Sequence, residues 1–142
     1  MNLLAALFAP TPPRLPEPDA RLALAALLVR VARSDGSYDS AEIARIDRIL
    51  IQRHALTAPD ATTLRGQAEA LEVDAPDTVR FTRALKSAVP LEERTSLVEA
   101  LWAVALADGQ RDEDEDLLLR LVANLLGLSD VDSALARQRV LR

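Results

Sequence analysis

The sequence predicts an all-α fold, a compact bundle of about seven helices with an internal pseudo-twofold helix–turn–helix repeat. Three observations predict it. Hydrophobic residues make up 49% of the chain but aromatics only 3%, so Leu, Ala, Val and Ile must do the packing, and Ala and Leu are strong helix formers. Glycine is scarce, at 4 residues, and hairpin-type turn dipeptides are missing. Apolar residues also recur at helical spacing between identifiable caps. A length of 142 residues fits one domain and suffices to bury one core without staples.

Residues 1–18 read as an appendage, and the folded domain as residues 19–142. Met1–Ala9 has the apolar positions Leu3, Leu4, Leu7 and Phe8, enough for about two helical turns. Pro10, Pro12, Pro13, Pro16 and Pro18 then supply five of the chain's eight prolines, a linker composition. The apolar positions fit a short helix docked on the domain's own surface. The second reading is a weak membrane or partner anchor, which has no basic residues to assist it.

The first helix runs from an Asp19 cap to about Arg33. Leu22, Leu24, Ala26, Leu27, Leu28, Val29 and Val31 cover most of its circumference, as a central helix requires. A second helix, from Ser40 to His54, has a stripe at Ile43, Ile46, Ile49 and Leu50. A third spans Ala58 to Leu71, with Thr57 as its cap, Pro59 early where Pro is tolerated, and Leu64, Ala68 and Leu71 inward. Thr78 to Ala88 is a shorter fourth, with Val79, Phe81 and Leu85 apolar. Pro90 opens a fifth that runs to about Ala107, with Leu97, Leu101 and Val104 on one stripe and Val98, Trp102 and Ala105 beside it. Glu113 to Leu126 is the sixth. Gly127 stops it, and Ser129 caps a seventh to about Val140.

The repeat lies in the connections. Ser34-Asp35-Gly36-Ser37-Tyr38-Asp39-Ser40-Ala41-Glu42 sets over Ala107-Asp108-Gly109-Gln110-Arg111-Asp112-Glu113-Asp114-Glu115 at a constant offset of 73, with Asp, Gly, Asp and Glu coinciding. The preceding helices match as well, Leu28, Val31 and Ala32 over Leu101, Val104 and Ala105. Much of this pattern serves local structure. Gly36 and Gly109 suit left-handed stops, and Asp39 with Glu42, like Asp112 with Glu115, has the spacing of a capping box. Asp35 and Asp108 are less well explained, because an acid at a helix C-terminus opposes the dipole.

The alternative use of the same acids is a metal. Aligned on glycine, each turn matches the second half of an EF-hand loop, but the two leading acidic positions hold Val31 and Arg33 in one turn and Val104 and Leu106 in the other. Three carboxylates per turn are too few for a tight Ca²⁺ site. The candidate ligands are Asp35, Asp39, Glu42, Asp108, Asp112 and Glu115, pooled or with water, for a weakly held Ca²⁺, Mg²⁺ or Mn²⁺. Carboxylates of the two turns within about 6–8 Å could share an ion. Glu113, Asp114 and Asp116 deepen the negative potential. Capping alone and capping with cation binding both stay open at this point.

These turns and the helices around them resemble the TerB-like family, named for a bacterial tellurite-resistance protein. The likeness is carried by Leu28 to Gly36, Arg80-Phe81-Thr82, Glu99 to Gly109 and Leu126 to Ser129, and it covers roughly Asp19 to Arg139. A similar domain precedes the J domain of DjlA-type co-chaperones, but no His-Pro-Asp tripeptide occurs here and J-domain activity does not carry over. The resemblance implies a bacterial stress- or tellurite-resistance module that binds a cation at its acidic turns and acts in membrane-proximal protein complexes. Its acidic positions fall on the six residues named above. Ser34 stands where Ala is commoner.

Composition narrows the rest. A net charge of −5 without a long basic run argues against nucleic acid as a partner. The absence of cysteine removes thiolate zinc sites and cysteine nucleophiles. No apolar stretch reaches the length of a membrane span, and the N-terminus lacks the basic flank of a signal peptide, so the expected place is the cytoplasm or the inner face of the membrane. The one histidine, His54, suits a helix C-terminus as a cation. Trp102 reads as core, Tyr38 as a residue open to a partner, and Arg45, Arg48 and Arg53 as a solvated face. The expected function is a non-enzymatic module with protein partners. The alternative is a scaffold whose acids only cap, and a cation-dependent hydrolase is the third reading.

Overall fold

The computed structural model describes residues 19–74, 78–107, 109 and 113–142. The expectations for residues 1–18, Asp108 and Asp112 lie outside the described residues. The helices are α1 (Ala20–Arg33), α2 (Ser40–His54), α3 (Ala58–Asp74), α4 (Val79–Ala88), α5 (Arg94–Ala105), α6 (Glu113–Leu125) and α7 (Asp130–Leu141), with a 3-10 turn at Leu91–Glu93. No strand occurs among the described residues.

Four of the helices, α1, α2, α3 and α7, begin where a side chain takes an orphan backbone N–H. Asp19 Oδ1 accepts from Leu22 N at 2.8 Å to open α1. Asp39 and Glu42 form a full capping box on α2, and Ser129 and Asp132 form another on α7. Thr57 Oγ1 accepts from Asp60 N at 3.2 Å to open α3. Gly127, at φ +86°, ends α6, and Leu128 N donates across it to Ala123 O at 2.9 Å. Ala55, at φ +52°, ends α2 in the same way, with Leu56 N donating to Ile51 O at 3.2 Å.

α1 is the axis of the bundle. Ala23 to Val29, Val31 and Ala32 are all buried, and the helix packs against α2, α3, α4, α5 and α6. Enclosing Leu24, Leu27 and Leu28 contributes about 1.5–3 kcal/mol each. α5 is the second pillar, with Leu97, Val98, Leu101, Trp102, Val104 and Ala105 buried, and α7 lies along it.

The structure departs from the sequence reading in three places. α3 runs on to Asp74, three residues past Leu71, because Arg30 and Arg33 of α1 hold Glu72. Of the apolar residues of α4, Val79 is 42% exposed, and Phe81 and Leu85 face the core. Pro90 leads into the 3-10 turn, so α5 begins only at Arg94. α5 also stops at Ala105 rather than Ala107. Arg94 fixes this junction: its Nε donates to Val89 O, Nη1 to Leu126 O and Nη2 to Lys86 O, at 3.0, 3.1 and 3.3 Å, tying the ends of α4 and α6 together.

Candidate functional site

The first acidic turn is built by backbone bonds at the end of α1. Ser34 N donates to Val31 O at 3.2 Å, and Gly36 N donates to Arg33 O at 3.0 Å with Gly36 at φ +82°. The second turn repeats this chemistry after α5. Ala107 N donates to Val104 O and Gly109 N to Leu106 O, both at 3.1 Å, with Gly109 at φ +75°. These are local likenesses, and the pseudo-twofold relation of the whole units stays a reading of the sequence.

The acids of the first turn each have a local task. Asp35 Oδ1 accepts from Ser37 N at 2.8 Å, an Asx turn that supplies the local explanation the sequence reading had not found. Asp39 Oδ1 accepts from Glu42 N at 2.9 Å, and Glu42 Oε1 accepts from Asp39 N at 3.3 Å. Glu42 is the third residue of α2 and Glu115 the third of α6, and both are buried.

Packing then brings the two turns together. Carboxylate oxygens of Asp35, Glu42 and Glu115 lie within 4.8 Å of one another. Three points that close lie within about 2.8 Å of a common centre, a few tenths of an ångström beyond Ca–oxygen bond lengths of about 2.3–2.6 Å. The donors are hard oxygens, of the kind that suit Ca²⁺, Mg²⁺ or Mn²⁺. Ionised together, each pair repels by about 3 kcal/mol at an effective dielectric of roughly 20. A divalent cation would turn that repulsion into attraction. Asp35, half-buried, forms the solvent side of the cluster, while Glu42 and Glu115 form its floor.

Three of the six candidate ligands are thus gathered across the two turns. Asp39 caps α2 and is not one of this group. Of the extra acids on α6, Glu113 and Asp114 are exposed and Asp116 is half-buried.

An ion-pair seam lies beside the first turn, unforeseen in the sequence. Arg33 Nη1 meets Glu72 Oε2 at 2.7 Å and Arg33 Nη2 meets Glu69 Oε2 at 3.8 Å. Arg30 Nε meets Glu72 Oε1 at 3.3 Å. Arg65 links Asp47 at 2.6 Å and Glu69 at 2.9 Å. The Arg65–Glu69 spacing of four on one helix was the one signal available in the sequence.

Tyr38 joins the two regions. It sits in the turn, packs against the core, and carries the Arg33 guanidinium 5.0 Å over its ring, so it is not the open residue expected. Burial, with Glu69 nearby, pushes its hydroxyl up to about 12. His54 also differs from expectation. Burial, then Arg21 and Arg53, push its imidazole below the usual histidine range and favour the neutral form over a capping cation. Trp102 is buried as expected, and its Nε1 donates to Ser133 Oγ at 3.1 Å. Arg48 and Arg53 are exposed and Arg45 half-buried, with Arg53 Nη1 donating to Ser96 Oγ at 3.2 Å.

Among the described residues, no helix is long and apolar enough to cross a membrane. Residues 21–138 match the family model described as tellurite resistance protein TerB. No curated protein and no solved structure matches the chain.

Proposed function

The chain belongs to the TerB family, and on that premise we propose that it is a non-enzymatic module that binds a divalent cation at Asp35, Glu42 and Glu115 and acts through protein partners, in stress or tellurite resistance. The observation that carries the cation reading is the 4.8 Å convergence of three carboxylates, two of them buried. Buried like charges are expensive to hold together, and a cation is the simplest compensation. The ion would be held by hard oxygens from two turns far apart in sequence. It would pin the C-terminal end of α1 to the first turns of α2 and α6, and so fix the surface offered to a partner.

Calorimetric titration of the purified chain with Ca²⁺, Mg²⁺ and Mn²⁺ tests this directly. Saturable heat from at least one ion, lost in Glu115→Gln, is the expected result. No heat and no change in melting temperature at millimolar ion would remove the cation from the account.

The second reading is a scaffold whose acids serve only local structure. The Asp39–Glu42 capping box and the Asp35–Ser37 turn favour it for the first turn. Under it, Glu115→Gln and Asp35→Asn leave the response to cations unchanged.

A further inference from the structure

The start of α1 lies next to a surface groove that the bundle leaves open. Asp19 and Arg21 both act on the His54 imidazole, which places the start of α1 beside the end of α2. Arg53, the residue before His54, lines a groove of about 390 Å³ formed by α2, α5 and α7. Its apolar lining is Ile49 of α2, Ala100 and Ala103 of α5, and Val140 of α7, all half-buried. Ile49, Ala100 and Val140 rest on the core beneath. The charged side chains of the lining are engaged within the domain. Arg53 Nη1 donates to Ser96 Oγ at 3.2 Å, and Glu99 meets Arg139 at 2.5 Å. The groove therefore offers apolar surface and calls for no charged ligand.

Residues 1–9, outside the described residues, have the matching chemistry. Leu3, Leu4, Leu7 and Phe8 are large and apolar, and no charged side chain occurs among residues 1–13. Their spacing gathers them on one face of a helix. Such a face is costly to leave in water. Length and reach agree as well. Ser96 to Ala103 covers about 10 Å of α5, two helical turns, which is the length of a helix over residues 3–9. Pro10 to Pro18, drawn out as polyproline, span about 28 Å, whereas the whole of α1 is about 21 Å long. The near end of the groove, at Arg53, sits beside the point where that tether joins the domain. A short tether also gives its own segment a high effective concentration over any free competitor.

We propose that residues 1–9 dock as a helix in this groove of their own chain, with Leu3, Leu4, Leu7 and Phe8 against Ile49, Ala100, Ala103 and Val140 and with Pro10 to Pro18 as the tether. The segment is then an internal strap across α2, α5 and α7, and its apolar face is withdrawn from membranes and partners.

The chain has no cysteine, so Ala6→Cys gives a single attachment point for a nitroxide, beside the apolar stripe rather than on it. Amide signals of the full chain are compared with the nitroxide oxidised and reduced. Ala100, Ala103 and Val140 should lose most of their intensity in the oxidised form. Leu7→Asp, added to the labelled chain, should restore it, and this change lies outside the helical bundle. Ala103→Glu, which fills the groove with a charge, should restore it too. In a mixture of isotope-labelled chains without nitroxide and nitroxide chains without isotope, the three signals should keep their intensity. Broadening in that mixture would make a second copy the occupant and overturn the proposal. Broadening centred on the exposed Leu117 and Leu121 of α6, broadening that persists in Leu7→Asp, or full intensity at Ala100, Ala103 and Val140 would overturn it equally.

Discussion

Two clusters of carboxylates sit on either side of the end of α1, and they are built in opposite ways. In the seam, Asp47, Glu69 and Glu72 each face a guanidinium, from Arg30, Arg33 or Arg65, at 2.6 to 3.8 Å. In the triad, Asp35, Glu42 and Glu115 face one another within 4.8 Å. Three acids against three bases close the charge account of the seam. The triad brings together three formal negative charges and encloses two of the carboxylates. The seam sets acids against bases, whereas the triad gathers acids, and under the proposed function a cation would compensate them. Tyr38 stands between them, under Arg33 of the seam and in the loop that carries Asp35.

The sharpest way to break this contrast is to remove the acid shared by two seam arginines. Glu72→Ala leaves Arg30 and Arg33 partly buried without it, and should cost about 3 kcal/mol. Urea unfolding should report that loss equally with and without divalent ion. A loss that disappears on adding Ca²⁺ would show that the two clusters are not separate.

A smaller effect separates capping from ligation within one turn. Asp39→Ala removes the α2 cap and should cost about 1 kcal/mol, while the heat of cation binding stays within twofold of the parent. If that heat vanishes although the variant remains folded, Asp39 is a ligand and the triad is incomplete.

The smallest effect is one of pH. The Tyr38 hydroxyl is raised in the folded chain from 10.0 to about 12. Its contribution is therefore fully present below about pH 10 and is lost as pH rises towards 12. Tyr38→Phe should flatten the fall of melting temperature across that interval. An unchanged slope would mean that the hydroxyl is not buried beside Glu69 in solution.

Much of this architecture was legible in the sequence because caps and stops are local. Asp19, Asp39, Thr57 and Ser129 mark four helix starts, and Gly127 marks a stop, through contacts no more than five residues apart. The third-position placement of Glu42 and Glu115 was legible for the same reason. Their meeting was not, because it depends on how α2 and α6 pack around α1. The seam was hidden as well. Glu69 and Glu72 look like a solvent face of α3 until Arg33 and Arg30 reach them from 36 to 42 residues away. Arg94 was missed on similar grounds, since its three carbonyl partners come from the ends of two different helices. The charge of His54 was misjudged because helix position suggested a cation, whereas burial and two nearby arginines decide for the neutral form.

The most direct test of the triad is a melting comparison of the parent chain and Glu115→Gln, with chelator and with millimolar Ca²⁺ or Mn²⁺. With chelator, Glu115→Gln should melt at or above the parent, because one of three crowded charges is gone. With ion, the order should reverse. The parent gains stability by mass action, about 2.7 kcal/mol at a hundredfold excess over the dissociation constant, and the variant gains little. If Glu115→Gln melts below the parent in chelator and both respond to ion alike, Glu115 serves only the fold, and the cation site does not exist.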